Sequence, residues 1–243
     1  MIQRIYKKDF SHYLQKDMEM LVFGHAGMPV IFFPTRTARF YDYEDWKTLE
    51  GLNDKLERGQ IQIFCLDSAD KLSFYDKTLH PEDRIKKHLN FEKHILFEVV
   101  PMIRTINNHP GLELAGCSLG AYHAINICFR HPTLFTKVVA MSGRYDLTLE
   151  LKYFEDLFEG FRNEDIYYNM PSQYVPNIHG ERMLELLRKL DITIVIGKED
   201  AFLQNNTELS NALNAKKIPH KFFVWEGEAH RGIIWRDMLK LYF

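Results

Sequence analysis

Six short, almost wholly apolar runs recur along this chain with helix-forming stretches between them: PVIFFP at 29–34, IQIFCLD at 61–67, LELAG at 112–116, KVVAMSG at 137–143, ITIVIG at 192–197 and HKFFVWEG at 220–227. Runs of this length without polar alternation suit strands covered on both faces, and parallel strands need crossover helices to supply that cover. The repeated strand–helix–strand order therefore predicts a mostly parallel sheet with helices on both sides. Ahead of it, IQRIY near residue 2 and MEMLVFG near residue 18 read as antiparallel strands joined by turns.

Helical spacing is clearest from Pro81 to Ile106, where Ile85, Leu89, Leu96, Val99 and Ile103 fall at three- and four-residue steps, Pro81 suits a first turn and Pro101 predicts a kink or the start of a new turn. Further helices are expected over 44–58, AYHAINICFR, ERMLELLRKL and NNTELSNALNAK, and from about Ile233. Residues 145–180 break the rhythm with aromatics, acids and prolines, and read as an insertion over the carboxyl edge of the sheet, a lid or pocket wall with Phe158 and Tyr168 as candidate lining residues. With 243 residues, 46% of them hydrophobic, the chain has material for one large core and is expected to form a single domain.

Charge narrows the partners. The 31 basic and 33 acidic residues leave a net charge of −2, which offers no field suited to nucleic acid or a membrane surface. No stretch approaches the length of a membrane span. Cys65, Cys117 and Cys128 are odd in number and lack CxxC spacing, so a reducing, cytoplasmic setting is expected, without a disulfide framework or a thiolate metal site.

The stretch LAGCSLGA at 114–121 sits between a predicted strand and a predicted helix and contains Gly116-Cys117-Ser118-Leu119-Gly120, a G-x-S-x-G pattern. A nucleophile on so sharp a turn needs small residues two positions away on either side, or the chain cannot close. In that geometry the central residue points up into the cleft and its predecessor packs sideways, so Ser118 is the candidate nucleophile and Cys117 a small buried hydrophobe. The N–H of Leu119, opening the helix, is a candidate oxyanion donor.

A serine hydroxyl needs a base, and the base needs a carboxylate to orient it. Two later strands deliver such groups to the same sheet edge: ITIVIG runs into Lys198-Glu199-Asp200, and KFFVWEG into Glu228-Ala229-His230. Asp200 is preferred over Glu199 because it lies farther past the strand end, where it can turn inward. Of the eleven histidines, His230 is the candidate base and His179 the one alternative worth testing; His12, His80, His88, His94 and His109 read as solvated faces or turns. None forms an HxH or HExxH pattern, and neither a metal nor another cofactor is expected. A second oxyanion donor is sought in the loop TRTARF, among the backbone N–H groups of Thr35, Arg36 and Thr37. Arg36 and Arg39 are either paired with nearby acids such as Glu44 and Asp45 or, if one faces the cleft, suited to an anionic substrate group.

Taken together, GCSLGAYHA, RHPTLFTKVVAMSGRYD, IGKEDAFLQNNTELSNAL and IPHKFFVWEGEAHRGIIW resemble the esterase family of the α/β-hydrolase superfamily that includes esterase D (S-formylglutathione hydrolase), feruloyl esterases, enterochelin esterases and the antigen 85 mycolyltransferases. The resemblance implies an α/β-hydrolase fold, with Ser118 as nucleophile, Asp200 as orienting acid and His230 as base. It departs from the family pattern at Pro34-Thr35, where many hydrolases have a His-Gly pair, and at Arg231-Gly232, where an aspartate and an aromatic are expected. The implied activity is cofactor-independent hydrolysis of a small-molecule carboxylic ester, with thioesters open to the same chemistry. Acyl transfer on the same machinery and a non-catalytic binding protein of this fold are the rival readings, and the sequence leaves the oligomeric state open.

Overall fold

The computed structural model describes residues 1–243. Its eight strands are β1 (Arg4–Ser11), β2 (Lys16–Phe23), β3 (Met28–Phe33), β4 (Ile61–Leu66), β5 (Glu113–Cys117), β6 (Lys137–Met141), β7 (Asp191–Gly197) and β8 (Lys221–Trp225). They form one sheet in the order β1-β2-β4-β3-β5-β6-β7-β8. β1 and β2 pair antiparallel, β2 joins β4 antiparallel, and every later pairing is parallel. The exposed, lysine-bearing β1 closes one edge, a composition that discourages further strand addition there.

Alternate side chains of the central strands enter two separate cores. Ile31, Phe33, Phe64 and Leu114 face a large cluster beneath the helices Pro81–His94, Leu119–Arg130 and Leu203–Ala215. Val30, Phe32, Ile63 and Ala115 face a smaller one covered by the C-terminal helix Gly232–Tyr242 and the helical turns between residues 42 and 57. Full burial of each of the larger side chains contributes roughly 1.5–3 kcal/mol, so both faces hold the sheet in register. The period of two within each apolar run is therefore real, but masked in the sequence because both faces are dry.

Two helix expectations change. In place of one helix over 44–58 there are Asp42–Asp45, a tight turn at Thr48–Leu52 and Asn53–Glu57. Lys47 takes a left-handed φ of 57°, and Gly51 lies against the C-terminal helix so closely that a Cβ would stand 2.3 Å from the Arg236 carbonyl oxygen. The 81–106 segment is helical throughout but widens into a π turn at Ile95–Val99 before continuing as Val100–Ile106, which accommodates the missing N–H of Pro101.

Within the insertion, Phe158, Ile166, Met170 and Val175 are fully buried in the large core and anchor the segment against it. Phe158 meets Phe74 edge-on at 5.9 Å, and Tyr168 is 55% exposed. Neither lines the pocket over Ser118; Phe154 does. His88 and His94, expected in solvent, are buried as well, because the helix that carries them is covered on more than one side. Burial pushes the imidazole of His88 down to about 3, with the neighbouring His123 adding to the effect, so His88 is a neutral core residue.

No helix is long and apolar enough to cross a membrane. The three cysteines are free and buried.

Candidate active site

Because β3, β5, β7 and β8 run parallel, the loops after them emerge at one edge of the sheet. β5 ends in the turn that carries Ser118, whose φ of 56° and ψ of −121° lie outside the regions that L-residues prefer. Strain of this kind costs on the order of 1–3 kcal/mol and persists only where the surroundings over-determine it. Here the Ser118 N–H donates to the Met141 carbonyl at 2.8 Å, and the helix Leu119–Arg130 behind it has eleven of its twelve residues buried. A Cβ on Gly120 would stand 2.3 Å from the Phe33 carbonyl oxygen, and one on Gly116 would stand 2.3 Å from that of Gly120. Both contacts are with backbone, which cannot swing aside, so the two glycines are what let the turn close against β3.

Tyr43 locks the same junction from the opposite face. Its hydroxyl donates to the Phe33 carbonyl at 2.9 Å and accepts the Cys117 N–H at 3.2 Å. The Cys117 side chain belongs to the smaller core, and burial pushes its thiol far above the ordinary range. The Cys117 side chain beneath the turn thus packs as a small hydrophobe.

The loops after β7 and β8 bring Asp200 and His230 to this hydroxyl. His230 Nε2 lies 2.9 Å from Ser118 Oγ, and His230 Nδ1 lies 3.0 Å from Asp200 Oδ2. Asp200 is 7% exposed, whereas Glu199 points into solvent. Burial would raise the carboxyl of Asp200, but the hydrogen bond and charge of His230, the Phe202 N–H at 3.0 Å and the Ser142 hydroxyl outweigh it and hold the group below the usual carboxylate range. Ser142, at the end of β6, has a φ of 54° and accepts the Trp235 indole N–H at 3.2 Å. The His230 ring sits between Trp235, edge-on at 5.2 Å, and Phe202 at 6.3 Å. His179 is exposed on the far part of the insertion and does not line this pocket.

The oxyanion candidates divide. The N–H groups of Leu119, Thr35 and Arg36 have no protein acceptor, and all three residues line the pocket with Ser118. Thr37 is corrected: its N–H donates to Asp70 Oδ2 at 3.0 Å, and it lies outside that lining. The donor is already spent on an anchor that holds the loop. Asp70 in turn takes the His123 ring at 3.1 Å on its other oxygen, so a buried pair ties the loop after β3 to the helix behind Ser118.

The pocket over Ser118 encloses about 280 Å³ and is walled by Tyr75, Arg144, Phe154 and Trp235 in addition to the residues above. Sequence reasoning missed Arg144, Tyr75 and Asp70. Arg144 stands three residues past the end of β6, the same kind of strand end that flags the other site residues, and that position was the available signal. No group of three or more His, Cys, Asp or Glu side chains converges in a way that could hold a metal ion.

Sheet order, turn and pocket together define an α/β-hydrolase fold with its site at the carboxyl edge. Solved structures share it over nearly the full length. A ferulic acid esterase matches with a TM-score of 0.78 at 17% identity, covering 100% of this chain and 96% of its own. An S-formylglutathione hydrolase from Staphylococcus aureus matches at 0.71 and 14%, covering 99% and 97%. A ferulic acid esterase from Anaeromyces mucronatus, solved with ferulic acid, matches at 0.71 and 17%, covering 97% and 88%. Curated proteins give no match to the sequence. The family model described as "Putative esterase" matches residues 11–239, and the chain belongs to that family. It is accordingly a carboxylic ester hydrolase.

Proposed function

We propose that this esterase works as a serine hydrolase through Ser118, His230 and Asp200. The observation that carries the reading is the unbroken contact chain from Ser118 Oγ to His230 Nε2 at 2.9 Å and from His230 Nδ1 to Asp200 at 3.0 Å. With its Nδ1 proton donated to Asp200, the imidazole presents a lone pair at Nε2 to the serine hydroxyl. It takes the hydroxyl proton as Oγ attacks the ester carbonyl, and the negative charge that forms on the carbonyl oxygen falls to the N–H of Leu119 and that of Thr35 or Arg36. Collapse of the tetrahedral species breaks the bond to the alcohol, which leaves with the proton from Nε2. Water, activated by the same imidazole, then releases the acid and restores Ser118.

The His230 side chain is 26% exposed, which supports water reaching the acyl-enzyme. A thioester is open to the same steps. One sheet drawn from β1 to β8 supports reading the whole chain as a single catalytic domain. Three free, buried cysteines support a cytoplasmic setting.

Hydrolysis of short-chain 4-nitrophenyl esters tests the proposal. Turnover by the wild-type protein that is abolished in Ser118→Ala supports it; turnover that survives the substitution refutes it.

A further inference from the structure

The pocket over Ser118 has two cationic walls, Arg36 and Arg144, and no acidic side chain among its lining residues. Arg144 is 3% exposed and makes no ion pair. Its Nε donates to the Asp146 carbonyl, and its Nη2 to the carbonyls of Leu147, Leu149 and Glu155 at 3.2, 2.8 and 2.6 Å. These bonds brace residues 146–155, a structural duty that satisfies two nitrogens with neutral acceptors. They leave Nη1 without a protein partner and the formal charge without a counter-ion.

The acids whose charge reaches Arg144 are committed elsewhere. Asp146 accepts from Thr148 and Gln173, and Asp156 from the N–H groups of Phe158 and Gly160 and from Arg162. A buried cation normally has an anionic partner, because desolvating an unpaired charge is expensive. The Phe154 and Phe202 rings lie 5.7 and 5.9 Å from the Arg144 guanidinium, which offsets part of that cost and orients the planar group.

Arg36, itself exposed, adds a second cationic side chain to the pocket lining. Three residues on, Arg39 is paired with Asp67 and Glu19, and Arg4 takes Glu44. Arg36 has no carboxylate partner and instead lies 5.9 Å over the Tyr75 ring, at the pocket. The loop thus pairs the arginine outside the pocket with carboxylates and leaves the one that lines it without any.

We propose that the ester taken by this site carries a carboxylate close to the scissile bond, and that Arg144 and Arg36 bind it. Both arginines line the same cavity as Ser118, and its volume of about 280 Å³ suits a small ester. The proposal rests on Ser118 being the nucleophile, since it places the carboxylate relative to that hydroxyl.

Matched pairs of esters test it, with spontaneous hydrolysis subtracted. On the acyl side, mono(4-nitrophenyl) glutarate is compared with 4-nitrophenyl pentanoate; on the alcohol side, 4-acetoxybenzoate is compared with phenyl acetate. In one of the two arms, kcat/KM should favour the charged ester by about tenfold, the scale of a charge-assisted hydrogen bond. That preference should weaken with added salt, fall towards unity in Arg144→Gln, and be partly kept in Arg144→Lys. If Arg144→Gln does not fold, Arg36→Gln and the salt dependence of the wild type carry the test. No charged preference in either arm, with neutral esters turned over and Ser118 labelled by a fluorophosphonate, overturns this inference alone. Absence of both turnover and labelling overturns it together with the nucleophile assignment.

Discussion

The His123 imidazole stands 3.1 Å from Asp70 Oδ1, with both side chains sealed from solvent, one on the helix behind Ser118 and the other beyond the loop after β3. Burial would raise the Asp70 carboxyl, but the bond and charge of His123, the Ser68 hydroxyl and the Thr37 N–H outweigh it and keep it ionised. The pair thus fixes the loop that presents Thr35 and Arg36 against the element that presents Ser118 and Leu119. Asp70→Asn weakens both anchors, and a small displacement of an oxyanion donor is costly in rate. Steady-state kinetics should show kcat/KM down by roughly tenfold or more, while fluorophosphonate labelling of Ser118 persists. An unchanged kcat/KM with only a lower Tm would reduce the pair to a structural role.

Gly120→Ala places a methyl carbon 2.3 Å from the Phe33 carbonyl oxygen, where relief requires separating the turn from β3. The expected loss of stability is about 3 kcal/mol, at the upper end for overpacking, and is read from chemical denaturation. Wild-type stability in that variant would show that the junction yields more readily than its geometry implies.

Asp200→Asn should lower kcat by about 10⁴-fold with the fold retained, the effect of losing the carboxylate that sets the histidine tautomer in the general serine-hydrolase scheme. Glu199→Gln, at an exposed position, should stay within about twofold, as surface changes do. Equal losses in the two variants, or a loss confined to Glu199→Gln, would reassign the orienting acid.

Glu92 supplies a pH test of the scaffold. Burial would raise its carboxyl, but the His131 hydrogen bond and the Arg130 charge and hydrogen bonds outweigh it and lower the group to about 2. A carboxyl depressed in the folded state stabilises fully above its unfolded value near 4.5 and loses that contribution as pH falls towards 2. The ionised group is therefore worth on the order of 3 kcal/mol at neutral pH. Thermal melts of Glu92→Gln should fall well below wild type at pH 7, with the gap closing between about pH 4.5 and 2. A gap independent of pH would contradict the assignment.

What the sequence made legible follows from how each feature is encoded. The convergence of Ser118, Asp200 and His230 is legible because each lies just past an apolar run, so a parallel sheet gathers them at one edge. Arg144 occupies the same kind of position, yet its importance rests on what does not pair with it, which only the packed structure reveals. The acceptor that takes up the Thr37 N–H, Asp70, lies 33 residues away in the chain, beyond what the local sequence shows. The break in the 44–58 stretch is hidden for a related reason, since Gly51 lies against a carbonyl on the C-terminal helix, distant in the chain. Aromatics in an aperiodic stretch such as that around Phe158 carry no sign of which side they face; burial against Phe74 decides it.

The most direct test of the central claim is labelling of the intact protein with a fluorophosphonate, followed by mass-spectrometric mapping of the peptide that spans residues 114–121. The account predicts a single adduct on Ser118, lost in His230→Ala. An adduct on Cys117, or none on this peptide while esters are still hydrolysed, would contradict it.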